Sequence, residues 1–513
     1  MKKKVMIISS TIIILVAAAA ILFFTFFKGG NHAISSIIPG NMFETKQLDQ
    51  VTLTFHYPSE EPASTKEILN QIQEKTKTSI NVKLNFVFHT WENYESDINA
   101  LLASSQPCDA FYIYSGSMKK DSFKSYAQKG LLMDITEMLP KYALSYYNKL
   151  KPEEIAAATV DGKLTALPGR SNGFYRPCAI VRADLMEKYS IPEIKNFNDY
   201  ELFLKTIKEK EPAVYPLGSY GYSFQFFSAI NNYAVLDDSL KLVYKWDDEK
   251  MKVKVWEQTP EFLESIKTVN SWFDKGYLSK DIPVIWADES IITSRSFASF
   301  ISSQGTADYF NTVLKANNIS DFSFKEYPLY TNIHCQKTDP MQECLVFSAK
   351  SQNVDRALMF VNWLESSQDN YDLLMYGIKD KNYTLKDERI VIPSGTKSSE
   401  NFHNWGWRNT FLNQDYERLN ANSDEALFTA YKEFGEKNAE YAPHTGFIID
   451  KTELNGMEGD RTFDYYLFED ALRNGTFHEA EQEEYMNKFN TSDMGKLVEQ
   501  VQLQIDTWLA SRK

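Results

Sequence analysis

Between Val51 and Tyr114 the chain alternates strand and helix patterns at short, regular spacing. Val51–Pro58 (VTLTFHYP) alternates and is rich in β-formers, so it reads as a strand. Ser64–Thr76 puts Ile68, Leu69 and Ile72 on one helical face, with Ser64 as N-cap and Glu67 completing a capping box. Ile80–Phe88 is a second strand, Tyr94–Ser104 a helix turning Ile98, Leu101 and Leu102 inward, and Asp109–Tyr114 a short third strand. Such an order demands parallel strands joined by right-handed crossovers, an α/β fold. Open α/β sheets bind ligands at the carboxyl ends of their strands. That directs attention to Tyr57–Glu60, His89–Asn93 and Ser115–Lys119.

Further along, Asp161-Gly162 between β-forming flanks predicts a hairpin over Val160–Leu167. Ala179–Arg182 is strand-like. Phe197–Lys210 reads as a helix capped by Asn198, and Leu242–Trp246 with Val253–Glu257 as a hairpin across an acidic turn. Pro260–Gly276 is amphipathic, with Phe262, Ile266, Val269 and Phe273 on one face. Leu345–Ser348 reads as a strand, Val354–Glu365 as a helix, and Asp369–Tyr376 as a continuation ended by Gly377. Ala480–Arg512 is helical, with a break at Asn490–Asp493. Strand-rich and helix-rich parts alternate without repeats. That suits two α/β lobes sharing a chain that crosses more than once.

The 513 residues set a prior of two to four domains, and 43% hydrophobic with 24% charged residues is a globular balance. Net charge is −14, and residues 1–28 hold four Lys and no acid, which leaves −18 on the remainder. So acidic a body repels phosphate backbones, so no nucleic-acid partner is expected. It equally disfavours docking on anionic lipid. Membrane character is confined to the start. Lys2, Lys3 and Lys4 precede an uncharged run from Val5 to Phe27, closed by Lys28. Those positions span about 35 Å as a helix, enough for a bilayer core. The lysines hold the N-terminal end inside, so the body faces outward. An uncleaved transmembrane anchor over 1–28 is favoured over a cleaved signal peptide, because Ile21–Phe27 stays apolar beyond the small residues Ala17–Ala20. Residues 29–47 read as a tether.

Catalytic constellations are scarce. The seven histidines (His32, His56, His89, His334, His403, His444 and His478) form no HxxxH, HExxH or HxH pair, and no CxxC exists. No metal site and no cofactor are expected. There is no GxSxG, P-loop or GxGxxG motif. Cys335 and Cys344 are nine apart and are compatible with a disulfide outside the cell. Four buried thiols, including Cys108 and Cys178, are the plainer reading. Asp288-Glu289 beside Trp286 is the one pairing that a glycosidase reading would use. Solvated loop acids explain it better.

Aromatics carry the stronger signal, at 14% of the chain. A sugar presents an apolar ring face and a hydroxyl rim, which stacked Trp or Tyr with flanking polar groups can hold. Trp91 follows the second strand, Tyr114 and Ser115 end the third, and Tyr57 ends the first. Arg170 follows a Pro-Gly break, and Tyr220 and Tyr222 lie in GSYGYS. Trp286 stands beside acids, and Trp405 and Trp407 share five residues with Arg408 and Asn409. These ten are the candidate ligand-binding residues. Trp508 falls on a helical apolar stripe and reads as structural.

Several phrases resemble the extracellular solute-binding proteins of ABC importers, in particular large, DUF3502-containing, sugar-binding lipoproteins. They are VTLTFHYPSEEP and INVKLNFVFHTWENYESDINALLASSQPCDAFYIYS within Val51–Gly116, and DGKLTALPG at Asp161–Gly169. AIVRADLMEK at Ala179–Lys188, the helices of Ala357–Gly377 and KLVEQVQLQIDTW at Lys496–Trp508 complete the set. The resemblance implies a type II periplasmic-binding-protein fold, two α/β lobes joined by a hinge around a ligand cleft. Lobe one would be 48–175 and 330–376, and lobe two 178–325 and 377–513. It further implies capture of a solute, often an oligosaccharide, for delivery to ABC permease subunits; the reading here is binding of a carbohydrate without catalysis, by a monomer outside the cytoplasm. The lipobox Cys of those relatives is missing here, so anchoring is by the Val5–Phe27 helix or not at all, and the calcium loop of some alginate-binding relatives is not visible in Ser190–Leu217. The alternatives are a membrane-bound glycosidase or lyase using paired carboxylates, and a receptor subunit passing the solute signal to a sensor.

Overall fold

A computed structural model describes residues 48–114, 120–218, 221–278, 289–393, 410–454, 456–457 and 468–512. Strands β1 (Val51–Pro58), β2 (Val82–His89) and β3 (Ala110–Tyr114) form as the alternating pattern demands. β1 pairs in parallel with both others, Pro58 opposite His89 and His56 opposite Phe111. Two strands from distant sequence complete the sheet. Glu343–Phe347 runs antiparallel to β3, and Ala166–Pro168 lies antiparallel beyond it. The helices Thr65–Thr76 and Tyr94–Ala103 bury Ile68, Ile72, Ile98, Leu101 and Leu102 against this sheet. Each such side chain contributes about 1.5–3 kcal/mol when removed from water.

Two helix starts differ from the sequence reading. Ser64 adopts a left-handed conformation with no side-chain cap bond, so the Ser64–Glu67 capping box does not form. Its hydroxyl instead accepts a 3.2 Å bond from Asn382. Phe197–Lys210 is capped by Asn196 rather than Asn198, Asn196 accepting from the backbone N–H of Asp199. The Asp161-Gly162 turn is realised with both residues at positive φ, but the hairpin holds only two pairs, Thr159–Val160 with Lys163–Leu164.

A second core gathers around Pro177–Arg182, flanked antiparallel by Ser299–Ser303 and Phe324–Pro328. Phe203, Leu204, Trp256, Val269 and Trp272 pack within it. A third cluster joins the meander Tyr233–Asp237, Leu242–Lys245 and Lys254–Val255 to the helix Met494–Ser511 through Leu497, Val501 and Ile505. Phe411 and Ile448 belong to the first core although they follow residue 377, so the chain returns to it late.

The chain passes between the first and second cores at Gly169–Arg176 and again at Leu329–Gln342. These segments bond to each other, Gly169 N–H to Pro340 C=O at 2.8 Å and Tyr175 N–H to Gln336 C=O at 2.9 Å. Cys335–Gln336 also pairs in parallel with Ala439–Glu440, which follows the helix Glu425–Asn438. Phe174 stacks on Tyr431 of that helix at 4.5 Å, and the Arg176 guanidinium lies 3.8 Å from the Phe434 ring centre. All four cysteines are free thiols, so no Cys335–Cys344 bridge forms. Among the described residues no helix is long and apolar enough to cross a membrane. The expected Val5–Phe27 span and the 29–47 tether lie outside them.

Candidate functional site

The carboxyl ends of the first sheet carry an aromatic rim. Trp91 sits two residues beyond β2, is 42% exposed, and meets Tyr114 edge-on with ring centres 5.3 Å apart. Tyr114, the last residue of β3, pairs in register with Glu343. The buried Glu343 carboxylate accepts a 2.6 Å bond from the Tyr112 hydroxyl. Burial, and then the Glu343 charge, pushes the Tyr114 hydroxyl above its ordinary range, so it stays a neutral donor.

Gln342, the residue before Glu343, lines a cavity of about 390 Å³. One wall is made of crossover segments, Phe174–Tyr175 and His334 to Gln342. The rest of the lining includes Gln225, Tyr233, Asp238 and Trp246. Amide, hydroxyl and carboxylate groups thus converge on a space walled partly by rings, the usual make-up of a small-molecule site. Burial, then the neighbouring Lys151, lowers the Lys337 ammonium, and Glu153, Glu154 and Glu440 oppose that shift. His444 also lines the cavity, its Nδ1 2.8 Å from the Tyr244 hydroxyl oxygen.

The ten sequence candidates separate clearly. Trp91 and Tyr114 stand together at the rim. Tyr57 is fully buried among Phe55, Phe86 and Tyr112, and offers no exposed ring face. Tyr222 is only 3% exposed and accepts a 2.8 Å bond from the Trp256 indole. Arg170 is 6% exposed; it donates from Nη2 to Glu365 at 2.6 Å and lies over the Tyr146 ring, so it is a buried structural cation. In each case packing draws the side chain inward. Ser115, Tyr220, Trp286, Trp405 and Trp407 lie outside the described residues, as does Asp288. Sequence reasoning missed Trp246, His334, Gln336, Lys337, Asp339 and Gln342. Apart from Trp246, these residues stand on one crossover that has no periodicity, and only its position between two lobes could have marked it. Among the described residues no group of three or more His, Cys, Asp or Glu side chains is placed to hold a metal ion.

Separate hydrophobic cores, paired crossovers between the first two and a polar, ring-walled cavity beside them fit a small-molecule binding protein of α/β fold. The chain belongs to the bacterial extracellular solute-binding protein family, whose model matches residues 57–371. It is 24% identical over 475 residues to a carbohydrate ABC transporter substrate-binding protein of Streptococcus pneumoniae, covering 91% of this chain and 92% of that one. Its fold is similar to that of the N-glycan transport solute-binding protein of Streptococcus pneumoniae, with a TM-score of 0.73 at 22% identity over 90% of this chain and 100% of that one. It is also similar to an HMO-binding, ABC-transporter-associated solute-binding protein of Bifidobacterium longum infantis, with a TM-score of 0.61 at 14% identity over 90% and 99% of the two chains.

Proposed function

We propose that this protein captures an oligosaccharide outside the cytoplasm and delivers it to an ABC permease. The observation that carries the reading is the cavity itself, where Tyr233 and Trp246 share walls with Gln225, Gln342 and Asp339. Sugars need this mixture of ring faces and convergent hydrogen-bonding groups. Trp91 and Tyr114 extend the site along the strand ends, and Ser115, Tyr220, Trp286, Trp405 and Trp407 are further candidates. The preferred ligand is neutral or cationic, since a polyanion would approach a body of charge −18.

The mechanism is binding and closure. A sugar touching groups of both lobes favours the closed arrangement by its differential affinity alone. Lobe one is taken as 48–175 with 330–376, and lobe two as 178–325 with 377–513, with 410–417 reaching back to lobe one. The body acts as a monomer, tethered by the Val5–Phe27 helix. The test is calorimetric titration of residues 48–513 with a panel of oligosaccharides, followed by recovery of the sugar. Saturable binding of an intact sugar supports the reading. A cleaved product, or no binding across the panel, overturns it.

A further inference from the structure

The two crossovers are joined by a third stretch of chain, and a helix packs against them. Thr338 N–H donates to Gly173 C=O at 2.8 Å, beside the Tyr175 to Gln336 bond, and Lys337 N–H donates to Glu440 C=O at 2.8 Å. Glu440 ends the short strand that follows the helix Glu425–Asn438. A fourth, small core forms there, apart from the three large ones. Phe174, Cys335 and Ala439 are buried in it, with Ile333, Tyr431 and Phe434 packed around them. Each of these residues belongs to a crossover, to the helix or to the strand after it. The helix start is anchored separately by Asp424, whose side chain caps the first turn and whose N–H donates to Asp308 at 2.6 Å.

Gly435 is the one residue of this helix that is buried. A Cβ built on it would fall 2.7 and 2.9 Å from two carbons of the Phe174 ring, too close for either to stay in place. Its φ is not positive, and alanine is the better helix former at such a position. What excludes a side chain is therefore the neighbour, not the backbone. Tyr431, one turn back, stacks on the Phe174 ring with planes 18° from parallel, and Phe434 meets the same ring with centres 5.4 Å apart. Ser303 Oγ bonds the Phe174 carbonyl at 3.2 Å, which holds the backbone; the ring is held by the helix. Phe174 and Tyr175 line the cavity, as do His334 and Gln336, which flank Cys335.

We propose that Gly435 is a positioning residue for sugar binding: its missing side chain seats the helix Glu425–Asn438 against Phe174, and that seat fixes the Phe174–Tyr175 part of the cavity wall. The proposal rests on the carbohydrate reading above only for its ligand; the seat exists without one. A methyl group at 435 displaces the Phe174 ring from Tyr431 and Phe434 and shifts the first crossover with it. Lining groups then meet the sugar at poorer angles, and hydrogen bonds weaken steeply with misalignment. The fold loses less than the site does, because alanine favours the helix. Sugar affinity should fall about threefold to tenfold, the weight of one hydrogen bond.

The experiment uses the full-length protein and has two arms. In the first, hydrogen–deuterium exchange of unliganded protein is compared in wild type, Gly435→Ala and Gly495→Ala, the last having open space around its would-be Cβ. Backbone amides of 173–176 and 334–338 should exchange faster in Gly435→Ala alone. Unchanged protection there overturns the proposal. In the second arm, the disaccharide Man1GlcNAc is titrated calorimetrically. Gly435→Ala should bind about threefold to tenfold more weakly than wild type, and Gly495→Ala equally well. Phe174→Leu, which removes the ring in the way, should lose affinity alone yet lose little more when Gly435→Ala is added. Additive losses, or an unchanged affinity in Gly435→Ala, overturn the proposal. If Gly435→Ala does not fold, Tyr431→Leu, which withdraws the stacked ring from the same seat, is read in both arms by the same criteria. Absence of binding by wild type counts against this glycan as ligand, and the exchange arm then decides on Gly435 alone.

Discussion

Nδ1 of His56 lies 2.9 Å from Nε2 of His89, and the far nitrogen of each ring is engaged as well. His56 Nε2 lies 3.2 Å from the Pro107 carbonyl, and His89 Nδ1 lies 2.9 Å from Asp97. The Pro107 carbonyl can only accept, so His56 donates there and presents its Nδ1 lone pair to His89. A further proton on His56 would break that contact inside the sheet. Burial foremost, with the His89 charge adding to it and the Pro107 bond and Asp109 opposing, lowers His56 from 6.5 to about 4. An unfolded chain takes up this proton below 6.5, and the native chain refuses it until about 4. Stability from this site is therefore fully present above 6.5, declines as pH falls toward 4, and levels off below. The loss is about 3 kcal/mol at 1.36 kcal/mol per pH unit. Urea unfolding in steps from pH 7 to 4 should show a shallower decline in His56→Gln than in wild type. Parallel slopes would refute the assignment.

Arg170 supplies a second prediction. Its guanidinium bonds Glu365, which also meets Lys149 at 3.1 Å and Asn413 at 2.8 Å. Arg170→Ala removes one cation from a buried network but leaves Glu365 two partners. The expected cost is near the low end for a broken buried pair, about 3 kcal/mol. Sugar affinity measured well below the melting temperature should stay close to that of wild type. An unchanged melting temperature with lost affinity would instead make Arg170 a ligand contact.

Gly169 marks the point where the two crossovers touch. A Cβ built there would fall 2.5 Å from the backbone carbonyl oxygen of Glu343, which cannot step aside like a flexible side chain. Gly169→Ala should destabilise by about 1–3 kcal/mol. Gly495, near the start of the last helix, has nothing within 4 Å of its would-be Cβ. Gly495→Ala should be neutral or stabilising, by about 1 kcal/mol at most. Thermal melts of both variants check the contrast, and a stable Gly169→Ala protein would show that the crossovers can separate there freely.

The first half of the sheet was legible because β1, β2 and β3 are local: each strand is recognised by its own alternation and each helix by its own stripe. A strand was legible over Leu345–Ser348, where the structure has Glu343–Phe347, but nothing in the sequence names Tyr114 as the register partner of Glu343. Long-range pairing leaves no local mark. The same limit explains the site. Strand-end logic pointed to Trp91 and Tyr114, which do meet at the rim, whereas Tyr57 and Arg170 stand at equally suitable sequence positions. Their side chains were claimed by Phe86 and Glu365, partners contributed by other elements. His334 and Trp246 are 88 positions apart and meet only because the crossover passes the meander turn. The missed caps at Ser64 and Asn198 were settled by the backbone conformation before each helix, which a capping motif suggests but does not impose.

Trp91 is the residue on which the rim's contribution turns. Its indole is among the most exposed large apolar groups of the described residues, and its edge contact with Tyr114 leaves much of the ring to solvent. A large exposed aromatic at a strand's carboxyl end costs apolar hydration and stabilises no core. Trp91→Ala should therefore leave the melting temperature within a degree or two of wild type, since substitutions remote from the core typically change stability by less than about 0.5 kcal/mol. Sugar affinity should fall about threefold to tenfold, the effect of one aromatic pairing at about 0.5–1.5 kcal/mol. Trp91→Phe should recover part of that loss by restoring a stacking face. Tyr114→Phe should cost less than Trp91→Ala, because it keeps the ring and removes only a neutral donor. Calorimetric titration of the four proteins with one sugar ranks them. A Trp91→Ala protein that melts early but binds normally would make Trp91 a structural residue and confine the ligand to the cavity beside His334.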